Sequence, residues 1–318
     1  MKLGELISST TSGMGPRFGL VGTLPTTVLL LFVLLLCWSG APALAPRWEL
    51  LSARVASLET AQGILLGLAV LALALVLQPF QLAFVRFLEG YWGESRLVER
   101  SRRAFVRRHE ERRSRLRDDI ERRRAALKTV PAERLDAEVQ KLALREERLN
   151  RSYPGRMELL PMTLGNVLRA AEERSGEQYG LDVITVWPRL YAILPERMAG
   201  LVDAQRNQID VAVRFCLTFL LATGISAALL FHHPWWWSVP LVTAVLAWLS
   251  YRGAISSALA YGDVIRTAVD LYRFELLKSL HLPLPQELDA EVAVNKKLSD
   301  FLRQGVPPDF KYEHPKKD

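Results

Sequence analysis

The sequence has few residues of the kinds that build metal centres or disulfide scaffolds. Its 318 residues include two cysteines and five histidines. Cys37 and Cys216 both lie in apolar segments, and neither has the spacing of a zinc ligand. A disulfide scaffold is therefore excluded, and we expect both cysteines to act as small apolar side chains.

Catalytic motifs are also missing from the sequence. No Gly-rich loop leads to Lys-Ser or Lys-Thr, and there is no His-Glu-x-x-His or Gly-x-Ser-x-Gly. The histidines are scattered along the chain. We therefore expect no enzyme activity, no cofactor and no metal ion, and a membrane enzyme ranks third among the alternatives.

Charge is absent from three long stretches, residues 24–38, 60–85 and 215–251. Residues 94–128, in contrast, are more than half charged. Segregation of this kind excludes a single water-soluble domain and indicates a polytopic membrane protein with a cytosolic part.

The apolar segments predict four transmembrane helices. A hydrocarbon core about 30 Å thick requires roughly 20 apolar residues in a helix. The segments that meet this need are about 18–38, 61–84, 211–231 and 235–260. His232-His233-Pro234 is too short a connection for anything except an antiparallel pair. The fold class is thus all-α, a polytopic helical bundle.

Basic residues indicate how the spans are oriented. Residues 86–206 hold 26 Lys and Arg, against two in the loop 39–60 and none in 232–234. Basic segments stay in the cytoplasm, so we expect both termini and residues 86–206 on the cytoplasmic side of a bacterial inner membrane. Because arginines alternate with Glu and Asp, no nucleic-acid partner is expected.

The first apolar segment has a second interpretation. Lys2 and Arg17 precede it, and small residues at 41–45 follow it, as in a cleaved signal peptide. Cleavage would leave three spans and an external N-terminus. The length of the apolar region favours an uncleaved helix.

Five segments follow from this layout. A first transmembrane pair occupies 1–92, and a charged helical hairpin occupies 93–156. A juxtamembrane helical module occupies 157–208, the second transmembrane pair 209–262, and C-terminal helices with a tail 263–318. The hairpin has narrow apolar stripes of the coiled-coil type, so a partner protein or a second copy is expected to bind at 94–150.

Several short motifs resemble a known family. They are Leu164-Gly165-Asn166-Val167-Leu168-Arg169-Ala170-Ala171-Glu172, Tyr179-Gly180-Leu181-Asp182, Trp187-Pro188-Arg189-Leu190 and Leu282-Pro283-Leu284-Pro285. The chain after about residue 150 resembles a set of bacterial four-span membrane proteins with no assigned activity. The resemblance implies the layout and a bacterial origin, and it transfers no catalytic residue.

Two groups of polar residues are candidate functional residues. An inner-face charge cluster would comprise Arg214, Arg252, Asp210, Asp263, Arg266 and Asp270. A juxtamembrane polar core would comprise Asn166, Arg169, Glu172, Asp182, Trp187 and Arg189. Both groups also have structural interpretations, because arginines near the interface can extend to the headgroups and polar motif residues can hold turns together.

These features favour a membrane-anchored helical module for interaction or self-assembly. The alternative is a homo-oligomeric ion channel or pore, suggested by the inner arginines and by Gln62, Gln78, Gln81 and Thr223 within the spans.

Overall fold

A computed structural model describes residues 16–92, 96–305 and 309–314, and these residues contain helices but no strand. The prediction of an all-α fold is confirmed. The α-helices are α1 (Pro16–Trp38), α2 (Trp48–Ala56), α3 (Thr60–Glu89), α4 (Arg96–Ala126), α5 (Ala132–Ser152), α6 (Thr163–Arg174), α7 (Val183–Ile193), α8 (Glu196–Leu229), α9 (Ser238–Ser279) and α10 (Leu288–Gln304).

Two helical segments are long and apolar enough to cross a membrane. They are Glu196–Leu229 and Pro234–Ser279, with mean hydropathies of 1.8 and 1.3 over their most apolar windows. Only 28% and 22% of these windows are buried within the protein. A water-soluble helix of this composition would bury an apolar stripe, so the exposed apolar surface identifies a membrane protein.

The other two predicted spans do not both meet the length and composition of a helix that crosses a membrane. In α1, the segment Leu24–Trp38 is a shorter apolar stretch of fifteen residues and does not by itself qualify as a span. Thr60–Leu73 of α3 counts toward a span together with Trp48–Ala56 of α2, across a bend of 110°. By length and composition the described residues therefore provide two spans, or three with the bent pair.

Helix α2 lies within the loop 39–60. This nine-residue helix carries Glu49 in its first turn and Arg54 in its last turn. Both charges are placed favourably for the dipole of so short a helix.

The chain divides into two compact units. Unit 1 comprises Met1–Arg86 and Ile209–Ala254, and unit 2 comprises Phe87–Gln208 and Ile255–Asp318. Helices α8 and α9 each contribute to both units without a break. The five-segment division of the sequence stays a prediction.

Unit 1 has a small core of its own. Leu36, Ala41 and Leu230 are buried together, with partly buried apolar neighbours around them. The hydroxyl oxygens of Thr223 and Thr243 lie 2.9 Å apart and join α8 to α9. Short hydroxyl side chains can bond between helices that expose apolar residues to their surroundings.

Unit 2 contains the helical hairpin that the sequence predicted, formed by α4 and α5. A 3₁₀ turn at Leu127–Thr129 and Pro131 separate the two helices. Ion pairs connect them: Arg145 lies 2.5 Å from Asp119, and Arg124 lies 2.5 Å from Glu146. Their packed face is narrow, and Ile120 and Leu142 are among its buried residues.

A close backbone approach positions the end of α3 in unit 2. Gly90 has a φ of +103°, the left-handed conformation that glycine adopts readily after a helix. The end of α3 then lies so near α6 that a Cβ on Gly165 would be 1.9 Å from the Glu89 carbonyl oxygen. Only glycine fits at position 165 with this backbone geometry.

We expect Gly165→Ala to destabilise unit 2, because backbone atoms must move to admit the methyl group. Overpacking of this kind costs about 1–3 kcal/mol. The free energy of unfolding, measured in detergent by circular dichroism, should fall by that amount.

Gly200→Ala is the matched control, since a Cβ at Gly200 in α8 would meet nothing within 4 Å. That variant should be as stable as the parent chain or up to about 1 kcal/mol more stable. Equal effects of the two substitutions would contradict the packing described here.

Candidate functional site

The polar residues of unit 2 form two clusters and one exposed surface, and the first cluster surrounds Glu172 of α6. Arg206 of α8 lies 3.8 Å from the Glu89 carboxylate and donates a hydrogen bond to the Tyr261 hydroxyl of α9. Glu172 interacts electrostatically with Glu89 and Arg206. Four helices of unit 2 therefore meet at these four side chains, which we call the Glu172 cluster.

The electrostatics of the Glu172 cluster favour the protonated form of one carboxyl group. Burial raises the pKa of Glu172 above its ordinary value of 4.5. Glu89 raises the pKa further, whereas Arg206 and Arg169 oppose the shift. Burial is the largest of these effects, so the net result is a raised pKa for the Glu172 carboxyl group.

Next to the Glu172 cluster, hydrogen bonds with two side chains hold α6 to the loop before it. Asn166 is fully buried, and its side chain accepts from the Leu160 amide at 2.7 Å and donates to the Leu160 carbonyl at 2.8 Å. Glu173 accepts from the amides of Arg156 and Met157 at 2.5 and 3.1 Å. These bonds satisfy backbone groups that the loop could not satisfy by itself.

The second cluster attaches α10 to α9. Arg273 donates to the Glu291 carboxylate at 2.7 Å, and Glu291 is almost completely buried. The Arg273 guanidinium lies 4.0 Å from the ring centroid of Tyr179, whose hydroxyl donates to Asp270 at 2.9 Å. Asn295 donates to the Tyr179 carbonyl at 2.9 Å. A paired and stacked arginine of this kind serves packing, and it leaves no open site for a ligand.

The structure places the predicted inner-face charges in different surroundings. Asp263 pairs with Arg151 of α5, and Asp270 accepts from the Tyr179 hydroxyl in the second cluster, which we call the Tyr179 cluster. Arg266 lines a small cavity next to α6. In unit 1, Arg252 is exposed, Asp210 is half-buried, and the Nε atom of Arg214 is buried without a hydrogen-bond partner among the described residues.

The predicted polar core is divided between two places. Asn166, Arg169 and Glu172 share α6, where Arg169 donates to the Glu158 carbonyl and lies over the Tyr91 ring. Asp182 accepts from Thr185 at 2.8 Å and lies near Arg303 of α10. Trp187 lies beside Tyr191, and Arg189 is exposed on α7. Sequence reasoning missed Glu89, Arg206 and Tyr261 as neighbours of Glu172.

Metal-ligating residues do not gather in the part of the chain that the structure describes. No group of three or more His, Cys, Asp or Glu side chains there could hold a metal ion. His109 is buried, its Nδ1 atom lies 3.4 Å from the Tyr153 hydroxyl, and burial lowers its pKa. This histidine therefore packs the base of the hairpin as a neutral ring.

The outer surface of the hairpin is the third polar feature. Helix α4 carries thirteen arginines and six acidic residues. Several of its exposed arginines make no ion pair with any described residue, namely Arg100, Arg107, Arg108, Arg112 and Arg117. Leu135 and Val139 of α5 are 37% and 45% exposed in this charged setting.

Comparison with known proteins identifies no relative. The chain matches no protein-family model, and neither a curated protein nor a solved structure is significantly similar to it.

The Glu172 cluster predicts a pH dependence of stability. Because the folded chain raises the Glu172 pKa, the stabilisation from its proton is complete below pH 4.5 and is lost as the pH rises through the folded pKa. Glutamine cannot lose a proton, so the Glu172→Gln variant avoids this loss of stability. The melting temperature of the variant minus that of the parent chain, both measured in detergent, should therefore increase as the pH rises over that range.

The control is Glu133→Gln, which changes an exposed glutamate in the first turn of α5. Its melting temperature should follow the parent chain across the same pH range. A Glu172→Gln curve parallel to that of the parent chain would show that Glu172 keeps its ordinary titration.

Proposed function

We propose that this chain is a bacterial inner-membrane protein with four spans, at about 18–38, 61–84, 211–231 and 235–260, whose cytosolic hairpin binds an acidic protein. Both termini and residues 86–206 lie on the cytoplasmic side. The long exposed apolar faces of α8 and α9 and the concentration of arginine in residues 86–206 support this arrangement.

One observation carries the binding proposal: an apolar ridge at the tip of the hairpin is exposed. Leu135 and Val139 lie one helical turn apart on α5, and Glu146 lies two turns further on the same face. The ion pair from Glu146 to Arg124 places that face beside Arg124 of α4, and Arg117 lies seven residues before Arg124, two helical turns further from the turn. We call Leu135, Val139, Arg117 and Arg124 the tip surface.

The tip surface combines apolar and basic side chains, as protein-binding sites often do. Burial of the two apolar side chains against a partner is favourable, and the arginines of the tip surface provide directional hydrogen-bond donors. Arg117 makes no ion pair with a described residue, so its guanidinium is available to a carboxylate of a partner.

Charge decides between an acidic partner and a second copy. Helix α4 has seven more basic than acidic residues, an excess as large as the net charge of the whole chain, +7. Two hairpins meeting along their α4 helices would bring like charges together, which opposes self-association at low ionic strength. An acidic protein surface meets the same arginines favourably.

The channel hypothesis has less support from the described residues. Thr223 bonds to Thr243 between α8 and α9, and Gln62 accepts from the Glu59 amide at 3.4 Å. Both polar groups are engaged within the chain. The side chains of Gln78 and Gln81 lie outside the described residues.

A photocrosslinking experiment in cells tests the proposal. A photoreactive phenylalanine analogue replaces Leu135, and irradiation should yield an adduct with a different protein. Arg117→Glu should lower the adduct yield about tenfold, because a like charge at an interface is strongly unfavourable.

Lys297→Glu is the matched control, since Lys297 is exposed on α10 and the substitution changes the net charge equally. The control should leave the yield unchanged. An adduct of twice the chain mass would identify a second copy as the partner, and an absence of protein adducts at Leu135 would refute the proposal.

A further inference from the structure

An open groove of about 490 Å³ lies between the last two turns of α5 and the middle of α9. Leu144, Glu147, Arg148, Arg151 and Ser152 line it from α5, and Ser256, Leu259, Ala260 and Asp263 line it from α9. All of these residues belong to unit 2. The volume is within the range of small-molecule sites in proteins.

The chemistry of the groove is divided into a charged part and an apolar part. Two arginines and two carboxylates, Arg148, Arg151, Glu147 and Asp263, provide the charged part. Leu144, Leu259 and Ala260 provide the apolar part. A ligand that fits both must be amphiphilic, and its polar end must carry charges of both signs.

The state of the four charged side chains favours a zwitterion over a simple anion. Arg151 pairs with Asp263 and also with Glu147, at 3.1 Å. The side chains of Glu147 and Asp263 are nevertheless 54% and 51% exposed, so each carboxylate can accept further hydrogen bonds. Arg148 is exposed and makes no ion pair with any other described residue. An anion alone would meet two carboxylates beside the arginines that bind it.

Leu144 indicates what lies beside the groove. This leucine is 65% exposed on a helix whose neighbouring residues are charged. On α9 the stretch 253–262 contains no charged residue, and Asp263 is the first one after it. Under the proposed topology this segment of α9 is where the fourth span leaves the membrane, so Leu144 lies at the cytoplasmic membrane interface, within reach of acyl chains.

We infer that the groove binds the headgroup of a phosphatidylethanolamine molecule. The phosphodiester accepts hydrogen bonds from Arg148 and Arg151, and the primary ammonium donates to Glu147 and Asp263. The acyl chains leave along Leu144 and Leu259. The inference rests on the membrane topology of the proposed function and is independent of the hairpin partner.

This arrangement discriminates among lipids by their headgroups. A choline headgroup has three methyl groups in place of N–H donors, so it can donate a hydrogen bond to neither carboxylate. A glycerol headgroup has no positive charge to set against them. We therefore expect ethanolamine to be preferred over both.

Native mass spectrometry of the delipidated full-length chain tests the inference. The protein in detergent is titrated with phosphatidylethanolamine, phosphatidylcholine and phosphatidylglycerol of identical acyl chains. The ethanolamine lipid should bind about tenfold more tightly than either of the others, the effect of a charge-assisted hydrogen bond.

Substitutions separate the two halves of the headgroup. Glu147→Gln and Asp263→Asn should each reduce the preference for ethanolamine over choline, and Arg148→Ala should weaken binding of all three lipids. Glu275→Gln, on α9 outside the groove, and Arg134→Ala, at the other end of α5, are the controls and should change nothing. Melting temperatures in detergent show whether each variant is folded, and Glu147→Gln keeps the test valid if Asp263→Asn unfolds.

Each other outcome overturns the inference. Equal binding of the ethanolamine and choline lipids would mean that the carboxylates do not discriminate between the two headgroups. A preference for the glycerol lipid would mean a site for anionic lipids. Neither result affects crosslinking at Leu135, whereas a chain that stays in solution without detergent would refute the topology on which both proposals depend.

Discussion

The structure depends on the continuity of two long helices from uncharged into charged sequence. Helix α8 begins at Glu196 and reaches Leu229, and α9 runs from Ser238 to Ser279. A backbone inside a bilayer has to satisfy its hydrogen bonds within the chain, and an unbroken helix does so at every residue. Since neither helix breaks, residues of the apolar segments and residues of the polar clusters belong to the same helices. The clusters around Glu172 and Tyr179 are thus built directly on membrane helices.

The two clusters use charge in different ways. At Tyr179, Arg273 is paired, stacked and covered, so its charge contributes to packing. At Glu172, the carboxyl group shares Arg206 with Glu89 and remains incompletely compensated. The first arrangement holds its arginine in place, whereas in the second, burial raises the pKa of the Glu172 carboxyl group. A lipid in the adjacent groove would add a third connection, between α5 and α9, through charges that both helices already direct toward each other.

Much of the architecture could be predicted from the sequence because it follows from local rules. Pro195 stands directly before the start of α8 at Glu196, and Tyr153-Pro154-Gly155 follows the end of α5 at Ser152, as local rules for helix ends require. The number of spans was harder to predict. A run without charge shows only that a segment is apolar, whereas the length of the helix and its bends decide whether the segment can cross a bilayer.

The neighbours of Glu172 were beyond sequence reasoning for a different reason. Glu89, Arg206 and Tyr261 are distant in sequence, and no spacing rule connects residues on separate helices. One signal was present, since Glu89 is the first acidic residue after an uncharged run and stands directly before Gly90. Gly165 was noticed only as part of a motif, and the need for glycine there appears once the Glu89 carbonyl is placed against it.

The location of the hairpin relative to the membrane is the claim on which the account depends most directly. With Cys37 and Cys216 replaced, Ser114→Cys in α4 and His232→Cys between α8 and α9 provide single labelling sites for a membrane-impermeant maleimide. The account predicts that intact cells label His232→Cys alone and that inverted membrane vesicles label Ser114→Cys alone. Labelling of Ser114→Cys from outside intact cells, or recovery of the chain in the soluble fraction, would contradict it.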